Sequence, residues 1–387
     1  MTSLTAKYKP FAILLLFFIY PLRGGDTLLL GILPTAIVLA IFVSSFVFQD
    51  KKVWSFGGYD ILVILYFAAL VLALIVSRDR EMGFRYLIQI GALSIIPFFV
   101  IRLFGFSQSD GSELIALTPY MALLSLGGLV YIAGWDNLFD NYSGNRFGSD
   151  EVNPVGIGYI YSAAFVILLY GLIAGKVNLL FGTSALLCSM SIVILTASRA
   201  SMIAAFVCAA LVFFQQRKVS FVGLSLVAVL GVCVYFLLNT FTPEMFEDRF
   251  LNGGSSESVQ DRAVSWLNAV DAVLENPLVG TGLGSFESKY QTYAHNFILD
   301  NLANGGLLLA VPIVVFCFRL ISRLWTELTT PRRQNSPLFL ILFLHAVIVR
   351  SFSISMSNSK DLFIFAALYI ALDVGVSFRE RDGDELL

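Results

Sequence analysis

Long uninterrupted apolar runs constrain this chain more than any other feature. Residues 27–48, 219–241 and 296–318 each reach or exceed the roughly 20 residues needed to cross about 30 Å of hydrocarbon. Lipid offers no partner for unpaired backbone groups, so a crossing segment must be a helix or belong to a closed barrel. Barrel strands alternate polar and apolar residues over about ten positions. Here the runs are continuous, which excludes a β-barrel. Composition agrees: the chain is 57% hydrophobic and 13% charged, with a mean hydropathy of +0.81, against roughly 45–50% and 25% in soluble domains. The expected fold is all-α, a polytopic integral membrane protein whose residues 1–387 form a single transmembrane domain.

About twelve transmembrane helices are expected, at roughly 10–22, 27–49, 59–77, 83–104, 112–133, 154–174, 178–196, 200–214, 219–241, 296–318, 337–355 and 361–378. The first run is followed by Pro21-Leu-Arg-Gly-Gly-Asp and shows no small-x-small cleavage site, so it reads as a span and not as a signal peptide. Lys and Arg in short loops set the orientation. The loops 215–218 and 319–333 hold Arg217, Lys218, Arg319, Arg323, Arg332 and Arg333 against Glu327 alone. These loops are therefore assigned to the cytoplasm, which puts both termini inside and a large loop, 242–294, outside. The four cysteines, Cys188, Cys208, Cys233 and Cys317, all fall within expected spans and read as packing residues, not as a disulfide or metal framework.

On the outer side a first loop, 136–153, carries the single cation Arg146 before Pro154 opens the sixth span. The large loop is net acidic, with Arg249, Arg262 and Lys289 outnumbered by Asp and Glu. Arg199 stands in the tight turn Thr196-Ala-Ser-Arg199 between two spans. A plain topological anchor explains an arginine on the cytoplasmic side. On the outer side the charge bias argues against that account, and Arg199 becomes a site candidate. His295 is one of two histidines, and Asn296 after it starts a helix with an unusually polar opening: Asp300, Asn301 and Asn304. Polar side chains on a membrane helix face a cavity or a partner. His345 lies mid-span, where a hydrogen bond to a neighbouring helix is the better account.

Within the large loop, Val264, Leu267, Val270 and Leu274 recur near helical spacing, so 261–274 reads as an amphipathic helix lying on the bundle. Arg262 and Trp266 share one of its faces. Gly280, Gly282 and Gly284 then break the helix, leaving a turn whose backbone can approach a ligand or the membrane surface closely. They do not satisfy the GxGxxG pattern, and no strand precedes them. Neither a nucleotide nor a nucleic-acid partner is expected. Asp382-Gly-Asp384 lies in a charged tail, and no His/Asp/Glu cluster has metal-ligand spacing. No metal and no cofactor is expected.

The order of these features resembles a known family. The arginine-bearing loop closing in Asn153-Pro154, the Thr196–Arg199 turn, the Arg262-Ala-Val-Ser-Trp266 helix, the Asn276-Pro-Leu-Val-Gly280-Thr-Gly282 turn and Ala294-His295-Asn296 followed by Gly305-Gly306 are similar to the bacterial O-antigen ligase and O-antigen polymerase family. The resemblance covers roughly 140–320. It implies a polytopic glycosyltransferase of the bacterial inner membrane that moves glycans off an undecaprenyl diphosphate carrier at the outer face. It assigns catalytic roles to His295, Arg199 and Arg262, with Arg249 competing with Arg262 for the second arginine. Arg146, Arg249, Asn296, Trp266 and Gly282 are then candidates for substrate binding.

Those residue types suit that chemistry. Planar guanidinium groups bind phosphate oxygens in pairs and support the charge on a departing diphosphate. A neutral imidazole can take the proton of an attacking sugar hydroxyl. One displacement without a covalent intermediate inverts the anomeric centre and needs no metal. The implied partners are a lipid-linked glycan donor and acceptor, membrane lipid and, as a candidate, a chain-length regulator protein. A ligase delivers glycan to a phosphorylated lipid A core, which favours a basic outer surface; the acidic loop and a sequence pI of about 5.8 lean towards a polymerase. A lipid-linked glycan transporter is the reading from another class. Intramembrane charges such as Arg85, Asp300, Arg350 and Asp373 suit it, but the polar residues gather at the outer face and not at mid-membrane.

Overall fold

The computed structural model describes residues 2–18, 36, 40, 56–133, 154–196, 198–216, 257–329, 336–352 and 355–384. Among them every regular element is helical: α1 (Thr2–Phe18), α2 (Gly58–Ile75), α3 (Arg80–Ile90), α4 (Ile96–Phe104), α5 (Gln108–Ala133), α6 (Pro154–Ile173), α7 (Leu179–Leu195), α8 (Arg199–Gln216), α9 (Glu257–Glu275), α10 (Ser285–Tyr290), α11 (Phe297–Thr329), α12 (Ser336–Arg350) and α13 (Lys360–Asp384). The all-α expectation holds for these residues. The stretches Gly58–Ile75, Arg80–Leu103, Gln108–Tyr131, Pro154–Ile173 and Phe297–Thr329 are long and apolar enough to cross a membrane, and four shorter apolar helices accompany them. The spans expected at 27–49, apart from residues 36 and 40, and at 219–241 lie outside the described residues, as does the loop 136–153.

The chain divides into two compact units. One comprises Met1–Lys51, Phe106–Gly253 and Leu328–His345. Its centre is α6, apolar on every side and buried from Gly156 to Leu172, as a helix surrounded by other helices must be. The His345 Nε2 lies 2.7 Å from the Ser162 hydroxyl of α6, and its ring packs on Tyr159. His345 is thus an interhelical fastener. The thiol of Cys208 on α8 donates to the Ile341 carbonyl, and the described cysteines are free.

The other unit comprises Lys52–Gly105, Gly254–Glu327 and Ala346–Leu387. Here α3 runs into α4 through a single π-helical turn, Gly91–Ile95, so the expected span at 83–104 is one path with a bulge. Phe98, Phe316 and Phe363 meet edge-on and stacked at centroid distances of 5.9–6.4 Å, joining α4, α11 and α13. Buried ion pairs occur in this interior. Arg102 donates to both carboxylate oxygens of the fully buried Asp60 at 3.1 and 3.0 Å, and Arg350 pairs with Asp361.

The 33-residue α11 would extend roughly 50 Å at 1.5 Å per residue, well beyond the hydrocarbon thickness. It is broken at Gly306, whose φ of 60° and ψ of −157° suit only glycine. A side chain there would also overlap the Leu278–Val279 peptide. The break separates a short polar opening, 297–305, from the apolar remainder. Expectation placed the span at 296–318. The structure instead folds Asp300, Asn301 and Asn304 into the protein, and the outward apolar surface resumes at Leu307 and Leu308.

Removing one partner of a buried ion pair leaves an uncompensated charge, at a cost of about 3–5 kcal/mol, whereas replacing both is tolerated. Asp60→Leu is expected to lower the thermal unfolding midpoint in detergent sharply, and Asp60→Leu/Arg102→Met to recover most of the loss.

Candidate active site

The chain reaches His295 through two left-handed residues. Gln291, at φ 55°, ends α10, and His295 itself lies at φ 50°. A non-glycine residue persists there only when its surroundings over-determine it, and both neighbours of His295 are fixed. Ala294 is fully buried and packs with Ala269 and Ala272 of α9, Phe286 of α10 and Ala303 of α11. Asn296 caps α11: its side-chain oxygen accepts from the Ile298 and Leu299 N–H groups at 3.0 and 3.1 Å, and its amide donates to the Ser351 carbonyl at 3.0 Å. Its polar atoms thus help to turn the chain into α11.

Asp300 stands behind this turn. Its carboxylate accepts from the Met356 N–H at 2.8 Å, the Ser355 hydroxyl at 3.2 Å and the Asn304 amide at 3.0 Å, and the Ala294 N–H also binds it. Asp300 therefore grips the residue immediately before His295. The network continues from Ser355 to the Tyr86 hydroxyl, which donates to the Glu287 carboxylate. From sequence Asp300 reads as part of a polar helix opening and as an intramembrane charge, with no partner assigned. Its five-residue offset from His295 carried no signal of a backbone contact.

The imidazole of His295 is half-buried against Tyr293, ring centroids 4.1 Å apart. Burial, then the Arg262 charge, pushes its pKa down to about 4, against a smaller opposing effect of Asp261. Both dominant causes disfavour the cation, so the ring is neutral at pH 7. Its Nδ1 is buried and has no hydrogen-bond partner among the described residues. A neutral imidazole with an uncommitted nitrogen beside an arginine is suited to accepting a proton next to an anion.

Of the residues singled out from sequence, the structure brings His295 and Arg262 into electrostatic contact. Trp266 follows Arg262 by one turn of α9, half-buried, with an indole N–H that meets no partner among the described residues. Gly282, at φ 96°, packs against the backbone of Val76 and Ser77 after α2, and its N–H donates to the Asn304 carbonyl at 3.1 Å. The close approach expected at this turn is thus to another stretch of the same chain. Arg199 is half-buried at the first position of α8, in the other compact unit. A cation there opposes the positive end of the helix dipole by a few tenths of a kcal/mol, so the position is not explained by local helix stability. Arg146 and Arg249 lie outside the described residues.

His295 resonances, assigned by comparison with His295→Gln, are expected to titrate near pH 4 in the ligand-free protein. Arg262→Gln should raise that midpoint by removing a nearby positive charge. A midpoint at the ordinary value of about 6.5 would show the ring to be solvated.

Residues 184–314 match the family model described as O-Antigen ligase. The matched stretch contains Arg199, Arg262, Trp266, Gly282, His295 and Asn296, together with Arg249. No curated protein matches the chain.

Proposed function

We propose that this chain is a membrane-embedded glycosyltransferase that polymerises undecaprenyl-diphosphate-linked repeat units at the periplasmic face of the bacterial inner membrane, with both termini cytoplasmic. The observation that carries the reading is the neutral, half-buried His295 beside Arg262, inside the segment that matches the O-Antigen ligase model. The coarser part, a helical membrane protein resembling that family, stands on the apolar helices and the match together.

In the reaction the imidazole takes the proton of an acceptor sugar hydroxyl. The freed oxygen attacks the anomeric carbon of the donor, and the bond from that carbon to the diphosphate oxygen breaks. The electron pair leaves with the diphosphate, whose charge Arg262 receives. A single displacement inverts the anomeric centre. Trp266, one turn from Arg262, offers an aromatic face and an uncommitted N–H to a sugar. A base of pKa about 4 is weak, but an anion bound at Arg262 offsets the charge that depresses it. Donor binding then strengthens the base at the moment it is needed.

The outward acidic residues of α9, Asp261, Asp271 and Glu275, favour a sugar acceptor without dense phosphate, which supports polymerase over ligase. The ligase reading is favoured by the description of the matching family. One reconstitution separates them: protein in lipid vesicles with a single defined lipid-linked repeat. A polymerase makes polymer bearing one lipid end, whereas a ligase makes product only when lipid A core is added.

In that assay His295→Ala is expected to lower turnover at least about 10²-fold with the protein still folded. Arg199→Lys should fall nearly as far as Arg199→Ala, because lysine loses the paired donors. Excess chelator should leave the rate unchanged; activity restored by Mg²⁺ or Mn²⁺ would remove the arginine-based account. The acid limb of kcat/KM should lie near pH 4 and that of kcat higher, since the first reports free enzyme and the second the loaded one.

A further inference from the structure

Helix α9 is built inside out relative to a helix resting on a protein core. Its inward face is small: Ser265, Ala269 and Ala272 are buried. Its large apolar residues point away from the protein, with Leu267 66% and Leu274 74% exposed and Val264 and Val270 also exposed. The sequence-based reading laid this apolar stripe on the bundle, and the structure turns it outward. At about 100° per residue, the stripe through Val270, Leu274 and Leu267 is flanked on one side by Asp271, Glu275 and Asp261. On the other side stand Arg262 and Trp266.

The stripe does not end with the helix. It passes into Leu278, 63% exposed, and from there to α11, because the Leu307 N–H donates to the Pro277 carbonyl and the Leu308 N–H to the Leu278 carbonyl. Leu307 and Leu308 are themselves exposed, on the stretch Phe297–Thr329 that is long and apolar enough to cross a membrane. One apolar surface thus runs from a helix long and apolar enough to cross a membrane out along α9.

We infer that the occupant of the α9 stripe is the outer leaflet of the membrane, with α9 lying in the interface and its acidic flank towards water. A water-facing stripe of this size on a helix already packed by its opposite face has no physical support, whereas a helix with separated apolar and charged flanks is the form that lies at a bilayer surface. The consequence concerns the site. The flank carrying Arg262 and Trp266 borders the lipid-facing stripe, so a diphosphate anchored by a lipid tail meets Arg262 without leaving the headgroup layer. This rests on the membrane reading proposed above and not on the reaction.

Nitroxide labels at Leu267→Cys, Leu274→Cys, Asp271→Cys and Glu275→Cys, in a background lacking the native cysteines, test it in phosphatidylethanolamine–phosphatidylglycerol vesicles. At 267 and 274 collision with oxygen should exceed collision with a water-soluble nickel chelate, and at 271 and 275 the order should reverse. Nickel access at 267 equal to that at 271 would overturn the inference. Exclusion of both reagents at 267 and 274 would also overturn it, by showing protein, such as a second copy of this chain, on the stripe. A second variant, Leu267→Asp/Leu274→Asp, should raise KM for a lipid-linked donor severalfold with kcat nearly unchanged; unchanged KM overturns the link to the donor. If the labels report lipid and the wild-type protein transfers no lipid-linked glycan, the leaflet inference stands and the proposed reaction fails.

Discussion

The Asp300 carboxylate is the point through which the site is held. It is fully buried and gathers hydrogen bonds from the chain just before His295, from the 3₁₀ turn Met356–Asn358 that precedes α13, and from Asn304 one turn on in its own helix. A buried carboxylate is tolerable only when its oxygens are occupied, and here the donors come from segments far apart in sequence. Meeting that requirement fixes the path of the backbone into α11. The left-handed conformation of His295 persists because the residues on each side have no freedom to relax it.

The same rule shapes the rest of the unit. Asp60 with Arg102 and Arg350 with Asp361 are charges that a low-dielectric interior accepts only as pairs. Asn304 shows the principle with neutral groups: its amide nitrogen serves α11, and its oxygen accepts from the Gly284 N–H at 2.9 Å. The glycine turn is thereby stitched to the polar opening of α11. Thr281 reinforces the join, its N–H donating to the Ala303 carbonyl at 2.8 Å. The turn that sequence alone reads as open to a ligand or the membrane surface makes a close contact between backbones.

Site electrostatics follow from this scaffold. Because α9 packs through small residues, its axis comes near α10 and α11, and Arg262 comes within electrostatic reach of His295. A larger inward face would hold the helix further off. The neutrality of the imidazole is therefore a consequence of helix packing as much as of the residue's own chemistry.

Much of this was legible in the chain. Continuous apolar runs dictate helices in lipid, so the all-α membrane class follows from composition and run length alone. His295 and Arg199 stand out because polar residues at a membrane boundary need a reason to be there, whereas Arg262 is singled out by the family resemblance, which the match over 184–314 supports. Tertiary structure decided what local pattern cannot. Helical spacing shows that α9 has an apolar stripe, but at a lipid boundary both directions are apolar, so spacing is silent on whether the stripe turns inward or outward. The roles of Asn296 and Gly282 depend on Ser351 and Ser77, and that of Asp300 on Met356. Such distant contacts carry no signature in the residues themselves, because a buried polar group is defined by its partners and those exist only once the chain has folded.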